Sequence, residues 1–579
     1  PMGYAFLRVP ASRLTPGHAA RLRLASEDRG QTTWTMVYEH EVRETVEVDP
    51  LPRIRRGEGE AVQWVRLRLT HLGDPAAVRV RHEGREVARA ALPFGRSSLD
   101  VPVPAVTAPR ETSLEVAIDD RATQAVRFKQ HPVKHWTVHL VQHTHTDIGY
   151  TRPQTEILPD HLRFIDYALD FCDATDDRPD DARFRWTCEA SWPVREYLRS
   201  RPAAQVERLR RRVAEGRIEL TALMFNLSEI PDESSLLALL EPVREIQAAG
   251  FAVPSAMQND VNGLAWSLAE ALPSVGVESF VMGQHSHRAL PCFDRPTAFW
   301  WESPAGTRLL GYRGDHYMTG NEWGLHGVDD EAFADGLFHH LEHLEGSGYP
   351  FDRASIQYGG YLTDNAPPSL FGPAMIERWN ETWAWPRLRS STSSEFLDWI
   401  RGEHGLDLPV HRGAWPDWWT DGFGSAARET AAARRTQGEL IAIQALAVFA
   451  QWKGAGLPLD WGERVETAYE SLLFYDEHTL GAAESISDPG GRNTQIQWAQ
   501  KAAYVWDAVT RTRVLQEAAH GFARPALPAS RDAQVVVFNP LAWARDGVAE
   551  VYVDHQLMPP DGSRVFTDPR GLPVAAQAM

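Results

Sequence analysis

Apolar and polar residues alternate with period two between residues 62 and 69, where Val62, Trp64, Val65, Leu67 and Leu69 are interleaved with Gln63, Arg66 and Arg68. That period predicts a half-buried strand. Val78-Arg79-Val80 and Val87-Ala88-Arg89 flank Glu83-Gly84, a hairpin turn by composition. A Pro-rich stretch over 101–109 interrupts, and alternation resumes over 113–118. Residues 1–132 are therefore expected to form an N-terminal β-sandwich, with nothing catalytic in it.

From His135 the texture changes. Short apolar runs at 138–142, 184–188, 218–224, 255–259, 279–282 and 355–361 alternate with helical patterns such as 194–215 and 234–249. Alternating β and α segments predict a parallel sheet or (β/α) barrel-like catalytic domain over 133–410. In such folds the chemistry sits where strands end, which points to His145/Asp147, Asp260 and Asp364. Residues 411–525 read as a helical bundle, rich in Ala and Leu. From Val535 the pattern is β again, so 526–579 is expected to begin a C-terminal β domain, truncated at Met579. The expected fold class is multidomain α/β plus all-β.

The 579 residues carry a formal net charge of −19, which argues against a nucleic-acid partner. The longest apolar run, Leu440–Ala450, is too short for a bilayer span. No signal-peptide pattern opens the chain, so the expected location is cytoplasmic, although the chain starts at Pro1 without an initiator Met and is open to trimming. Cys172, Cys188 and Cys292 show no paired spacing, which argues against a disulfide framework or a cysteine zinc site. The sequence holds 21 Trp, and aromatic faces suit sugar rings as well as cores. Asn226 and Asn380 fit the glycosylation pattern, which occurs readily by chance. Oligomeric state is not legible, and a homo-oligomer is left open.

The sequence around 138–150, Val-His-Leu-Val-Gln-His-Thr-His-Thr-Asp-Ile-Gly-Tyr, places His145 and Asp147 two positions apart just past a strand. An imidazole and a carboxylate so spaced can meet on one divalent ion. Taken alone, Asp260 reads more readily as a helix N-cap, Asp364 as a turn residue and His478 as a solvated loop histidine. Together, His145, Asp147, Asp260 and His478 supply two imidazoles and two carboxylates, a mixture zinc accepts. Asp364 then remains as a second carboxylate, and glycoside hydrolysis uses a carboxyl pair across the scissile bond.

The ordered set resembles glycoside hydrolase family 38, the zinc-dependent α-mannosidases. Residues 143–150 resemble that family's His-x-His-x-Asp-x-Gly-aromatic opening; 299–306, 389–396 and 538–543 resemble later segments, so the likeness runs from about His135 to the end. The resemblance implies Zn²⁺ held by His145, Asp147, Asp260 and His478, Asp260 as nucleophile of a retaining mechanism through a covalent glycosyl-Asp intermediate, and Asp364 as acid/base. Tyr150, Trp301, Trp418 and Trp419 are the candidate substrate contacts, each also readable as packing, and a carbohydrate is the implied substrate. Three departures touch the mannose assignment: Tyr150 stands where Trp is usual, Asp260 precedes Val-Asn-Gly, and the His478 loop reads Asp-Glu-His-Thr-Leu-Gly.

Two other signals compete. His339, Glu342 and His343 fit His-x-x-Glu-His, a metallopeptidase pattern, without an evident third ligand. Gly422 and Gly424 resemble a dinucleotide loop but follow no strand. The alternatives to a glycosidase are a metal-dependent carbohydrate deacetylase and a non-catalytic carbohydrate-binding protein.

Overall fold

The computed structural model describes residues 6–21, 23, 42–56, 61–261, 263–285, 292–327, 329–415, 419–559, 561 and 563–577. They fall into two compact units. The first takes its residues from 1–139, 329–354 and 373–389, and the second from 140–328, 355–372 and 390–579.

In the first unit, strands β1 (Thr45–Arg55), β2 (Val62–His71), β3 (Ala76–His82), β4 (Arg85–Leu92), β5 (Gly95–Pro104), β6 (Arg110–Ile118) and β7 (Gln124–Gln130) follow one another. They form two four-stranded sheets: β1-β2-β5 joined at the β1 edge by Trp383–Trp385, and β4-β3-β6-β7. The inward residues of both, among them Val65, Leu67, Val80, Val101 and Leu114, share one core, as alternation requires. Glu83 and Gly84 both have positive φ, +50° and +76°, the geometry a two-residue hairpin turn demands. The Pro-rich stretch does not end the sheet. β5 runs through Pro102 and Pro104 because it is an edge strand, where a missing N–H is tolerated.

The second unit holds most of β8 (Thr137–His143), then β9 (Trp186–Cys188), β10 (Ile218–Ala222), β11 (Ser255–Asp260), β12 (Ser279–Gln284), β13 (Thr297–Glu302), β14 (Arg308–Gly314), most of β15 (Arg353–Gly359), and β16 (Val410–His411). Their spatial order is β15-β8-β9-β10-β11-β12-β14-β13-β16, a curled half-barrel rather than a closed barrel. β8 to β12 pair in parallel, as does β12 with β14, while β13 runs antiparallel to β14. The 194–215 helix is broken into Ser191–Ser200 and Ala203–Ala214 at Pro202, which cannot continue a helix and disfavours α geometry before it.

Three long helices follow: α1 (Ala427–Trp452), α2 (Trp461–Asp476) and α3 (Arg492–Ala523). Leu440, Ile443, Leu472, Val505 and Leu515 form their shared core. The strands expected after Val535 are not formed. Described residues beyond 527 have one isolated bridge, Thr567 with Pro573, and Val537, Trp543, Val548 and Tyr552 are exposed. A strand persists only where a neighbour takes up its backbone groups, and no described strand lies beside this segment. No helix among the described residues is long and apolar enough to cross a membrane.

Candidate metal centre and active site

Most of the side chains that matter here sit where a strand of the half-barrel ends, and one comes from the loop after α2. The chain leaves β8 through His145 and Asp147, both buried. β11 ends on Asp260, whose φ is +70°, an uncommon conformation for a non-glycine residue that costs of order 1–3 kcal/mol. The loop after α2 supplies His478. That loop is pinned to the segment after β10, since His478 N–H donates to the Asn226 carbonyl at 3.1 Å and Leu227 bridges Glu477.

These side chains converge. His478 Nε2 lies 3.1 Å from Asp147 Oδ1 and 3.3 Å from Asp260 Oδ2. His145 Nε2 lies 3.2 Å from Asp147 Oδ1 and 4.0 Å from Asp260 Oδ2. One donor atom from each of the four lies within 4.8 Å of the others. Donors about 2.1 Å from a tetrahedral zinc stand about 3.4 Å apart, so the set is the right size for one ion. His145 Nε2, His478 Nε2 and Asp260 Oδ1 are buried and make no hydrogen bond, an arrangement that costs free energy unless something charged engages them. Two carboxylates confined within about 5 Å repel by about 3–4 kcal/mol at an effective dielectric of 20, which a divalent cation would reverse. The residues present therefore fit a divalent ion such as zinc. Among the described residues this is the one such cluster of His, Cys, Asp and Glu donors; His339, Glu342 and His343, on the helix Asp330–Gly346 of the first unit, form none.

The outward nitrogens of both imidazoles are held by buried carboxylates that sequence reasoning did not single out. His145 Nδ1 meets Glu189 Oε1 at 3.0 Å, and His478 Nδ1 meets Glu477 Oε1 at 2.8 Å. Such partners fix ring orientation and raise ligand basicity. Glu189 also receives the Thr146 N–H at 3.0 Å, the Asn259 amide at 2.6 Å and the Asn226 amide, and its Oε2 lies 2.7 Å from His143 Nδ1. Asn226 is thereby buried, which removes it as a glycosylation site. Glu189 directly follows β9, so the strand-end rule that flagged Asp260 could have found it. Burial opposes charge on His145, but Glu189 and Asp147 outweigh it and hold its proton well above the usual imidazole range. Glu477 and Asp147 do the same for His478 against its burial.

Asp364 lies past β15 and is partly buried. Burial, then the charge of Asp147, raise its pKa, and the Tyr317 hydroxyl, which donates to it at 3.0 Å, partly offsets this. The next residue, Asn365, accepts from Asp147 N–H at 3.1 Å and donates to the Asp147 carbonyl at 3.2 Å. Asp364's loop is thus fastened to the loop carrying His145 and Asp147.

Aromatic and imidazole rings stand around this group. Tyr317 stacks on His145 at 4.3 Å. His285, just past β12, has Nε2 3.9 Å from Asp260 Oδ1. Burial and His285 lower the pKa of its neighbour His316 to about 4. The Trp419 ring is 6.2 Å from those of both His285 and His478, and its Nε1 donates to the His478 carbonyl at 3.0 Å. Tyr150, with φ +64°, is exposed. Trp301 is not a sugar platform. It is fully buried on β13, packed against Phe280 and Trp415, with Nε1 donating to the Gly413 carbonyl at 2.8 Å; alternation on a strand buried on that face turns it into the core. Trp418 lies outside the described residues. Cys172, Cys188 and Cys292 are free thiols.

Residues 135–414 match the glycosyl hydrolases family 38 N-terminal domain. Over that span the chain is similar to glycoside hydrolase family 38. The resemblance read from the motifs therefore holds over 135–414, and of the four clustered donors only His478 lies beyond the matched residues. Among solved structures, the chain is similar to an α-mannosidase from Enterococcus faecalis, at 17% identity and a TM-score of 0.49, covering 68% of this chain and 42% of that one. It is also similar to a family 38 protein from the same organism, at 15% identity and a TM-score of 0.42, covering 68% and 40%, and to a 4-α-glucanotransferase from Thermococcus litoralis, at 10% identity and a TM-score of 0.41, covering 66% and 60%. The chain spans less than half the length of the two Enterococcus faecalis proteins. No curated protein matches it.

Proposed function

We propose that this protein is a retaining, metal-dependent glycoside hydrolase that cleaves α-linked sugars with mannosidase-like chemistry. The observation that carries the reading is Asp260, which belongs to the four-donor cluster through Oδ2 while its buried Oδ1 makes no hydrogen bond. His145, Asp147, Asp260 and His478 would hold the ion. When bound, a zinc ion would supply Lewis-acid polarisation of sugar hydroxyls.

Asp260 attacks the anomeric carbon, and the bond from that carbon to the leaving oxygen breaks. Asp364, whose pKa is raised by burial and then by Asp147, donates its proton to that oxygen. The glycosyl-Asp260 ester is then cleaved by water, whose proton returns to Asp364, so the product keeps its anomeric configuration. The Tyr317 hydroxyl orients Asp364. Tyr150 and Trp419, near the cluster, are assigned to the sugar face, where a ring can cover the apolar side of a pyranose.

Turnover of aryl α-glycosides, measured with and without a chelator, tests the reading. Chelator-sensitive release with retained configuration supports it. Release of acetate from acetylated sugars without glycosidic cleavage would assign the site to a deacetylase instead, and sugar binding without turnover would make it a binding protein.

A further inference from the structure

The two imidazoles of the cluster are not supported alike. Behind His145 stands Glu189, surrounded by His143 and by neutral amide donors. Behind His478 stands Glu477, and behind Glu477 stands Lys501, a residue of α3 that is almost fully buried. Lys501 Nζ donates to Glu477 Oε2 at 3.1 Å, to the Glu477 carbonyl at 2.8 Å and to the Phe474 carbonyl at 3.0 Å. All three N–H bonds of the ammonium are thereby used. Glu477 in turn accepts from Thr479 N–H at 3.1 Å and Ile148 N–H at 3.3 Å. Its carboxylate therefore joins the His478 loop to the loop that carries Asp147.

We propose that Lys501 is a positioning residue for the metal centre, anchoring Glu477 so that Glu477 Oε1 holds His478 Nδ1 and directs His478 Nε2 at Asp147 and Asp260. With Nδ1 paired to Glu477 Oε1 at 2.8 Å, Nε2 is the ring nitrogen left to face a cation. Removing the ammonium leaves Glu477 buried without its counter-charge, and that carboxylate then relaxes away from the imidazole. His478 thereby loses its fixed orientation. This rests on the metal-holding role of the four-donor cluster put forward above.

Lys501 also has a structural task, because the Phe474 and Glu477 carbonyls it binds lie at the end of α2, where a cation caps unpaired acceptors. The experiment must separate the two. Lys501→Gln keeps a donor for those carbonyls and removes the charge; Lys501→Met removes both; Glu477→Gln removes the carboxylate. Leu515→Ala, in the bundle core and remote from the cluster's contacts, serves as a control for loss of stability alone. Zinc affinity of each metal-free protein is measured by competition with a chromophoric chelator, beside its unfolding temperature.

Lys501→Gln is expected to weaken zinc binding about 10–100-fold, and Lys501→Met at least as much. The pair Lys501→Gln with Glu477→Gln should lose less than the product of the two single losses, because both act through one path to His478. Leu515→Ala should unfold at lower temperature with affinity unchanged. Wild-type affinity in Lys501→Gln, or a double-variant loss equal to the product of the single losses, overturns the proposal and leaves Lys501 as a helix cap. Should Lys501→Met fail to fold, Lys501→Gln with Glu477→Gln still decides. A wild-type protein that binds no zinc overturns both this proposal and the metal-centre reading, whereas wild-type binding unaltered in the Lys501 variants overturns this one alone.

Discussion

His478 Nε2 lies 3.1 Å from Asp147 Oδ1, although most of the chain separates them in sequence. Neither residue can hold an ion without the other's neighbours, so each of His145→Ala, Asp147→Ala and His478→Ala should abolish stoichiometric zinc in the purified protein, as read by elemental analysis. The wild type should gain about 2.7 kcal/mol of stability at a zinc concentration 100 times its Kd. An unfolding temperature indifferent to zinc would contradict this.

Metal binding should be proton-coupled. Glu189 and Asp147 on one side, and Glu477 and Asp147 on the other, outweigh burial and hold the His145 and His478 protons well above the usual imidazole range. Both rings therefore hold their protons to higher pH than a free imidazole does, and an incoming cation must displace those protons. Zinc affinity should fall as pH is lowered and rise as pH is raised across neutrality. Calorimetry in buffers of different ionisation enthalpy would register the released protons, and a pH-independent affinity would rule the coupling out.

The two carboxylates should fail differently. Asp260→Asn should stop turnover and also weaken the metal, because one side chain has both tasks. Asp364→Ala should lower turnover roughly a hundred- to ten-thousand-fold and leave zinc bound. Azide should restore the second variant with an activated aryl glycoside, giving a glycosyl azide. Wild-type rates in either variant would remove that residue from the mechanism.

Asp364 must be protonated to act as an acid, and burial followed by the charge of Asp147 raises its pKa. The rate should accordingly fall as pH rises through that raised value. The Tyr317 hydroxyl stabilises the ionised form through its 3.0 Å hydrogen bond. Tyr317→Phe should therefore move the alkaline limb to higher pH. A shift to lower pH in the kcat/KM profile would show that the bond works in the opposite sense.

The two glycines at the end of β15, Gly359 and Gly360, are not equivalent. A Cβ at Gly360 would overlap the Pro367 carbonyl oxygen, whereas at Gly359 its nearest neighbour would be the Tyr361 carbonyl oxygen at 3.4 Å. Gly360→Ala should cost about 1–3 kcal/mol and displace the loop that carries Asp364. Gly359→Ala should be much milder in both melting temperature and kcat.

Local pattern determined much of this protein. Period-two alternation marked the N-terminal strands, and the apolar runs at β8, β9, β10, β11, β12 and β15 marked the half-barrel, because burial on a pleated or two-sided sheet leaves a direct trace in residue order. Strand ends followed by His, Asp and Gly marked His145, Asp147, Asp260 and Asp364. Other features needed the third dimension. Trp301 is a core residue because of the face of β13 it occupies, which Trp-rich composition cannot reveal. Glu189, Glu477 and Lys501 carry no motif, since their meaning lies only in which nitrogen each one faces. The sequence alone could name donors of suitable chemistry. Whether they share one ion's reach depends on long-range packing of β8, β11 and the loop after α2, because coordination is set by distances of a few ångströms, and spacing along the chain does not fix them.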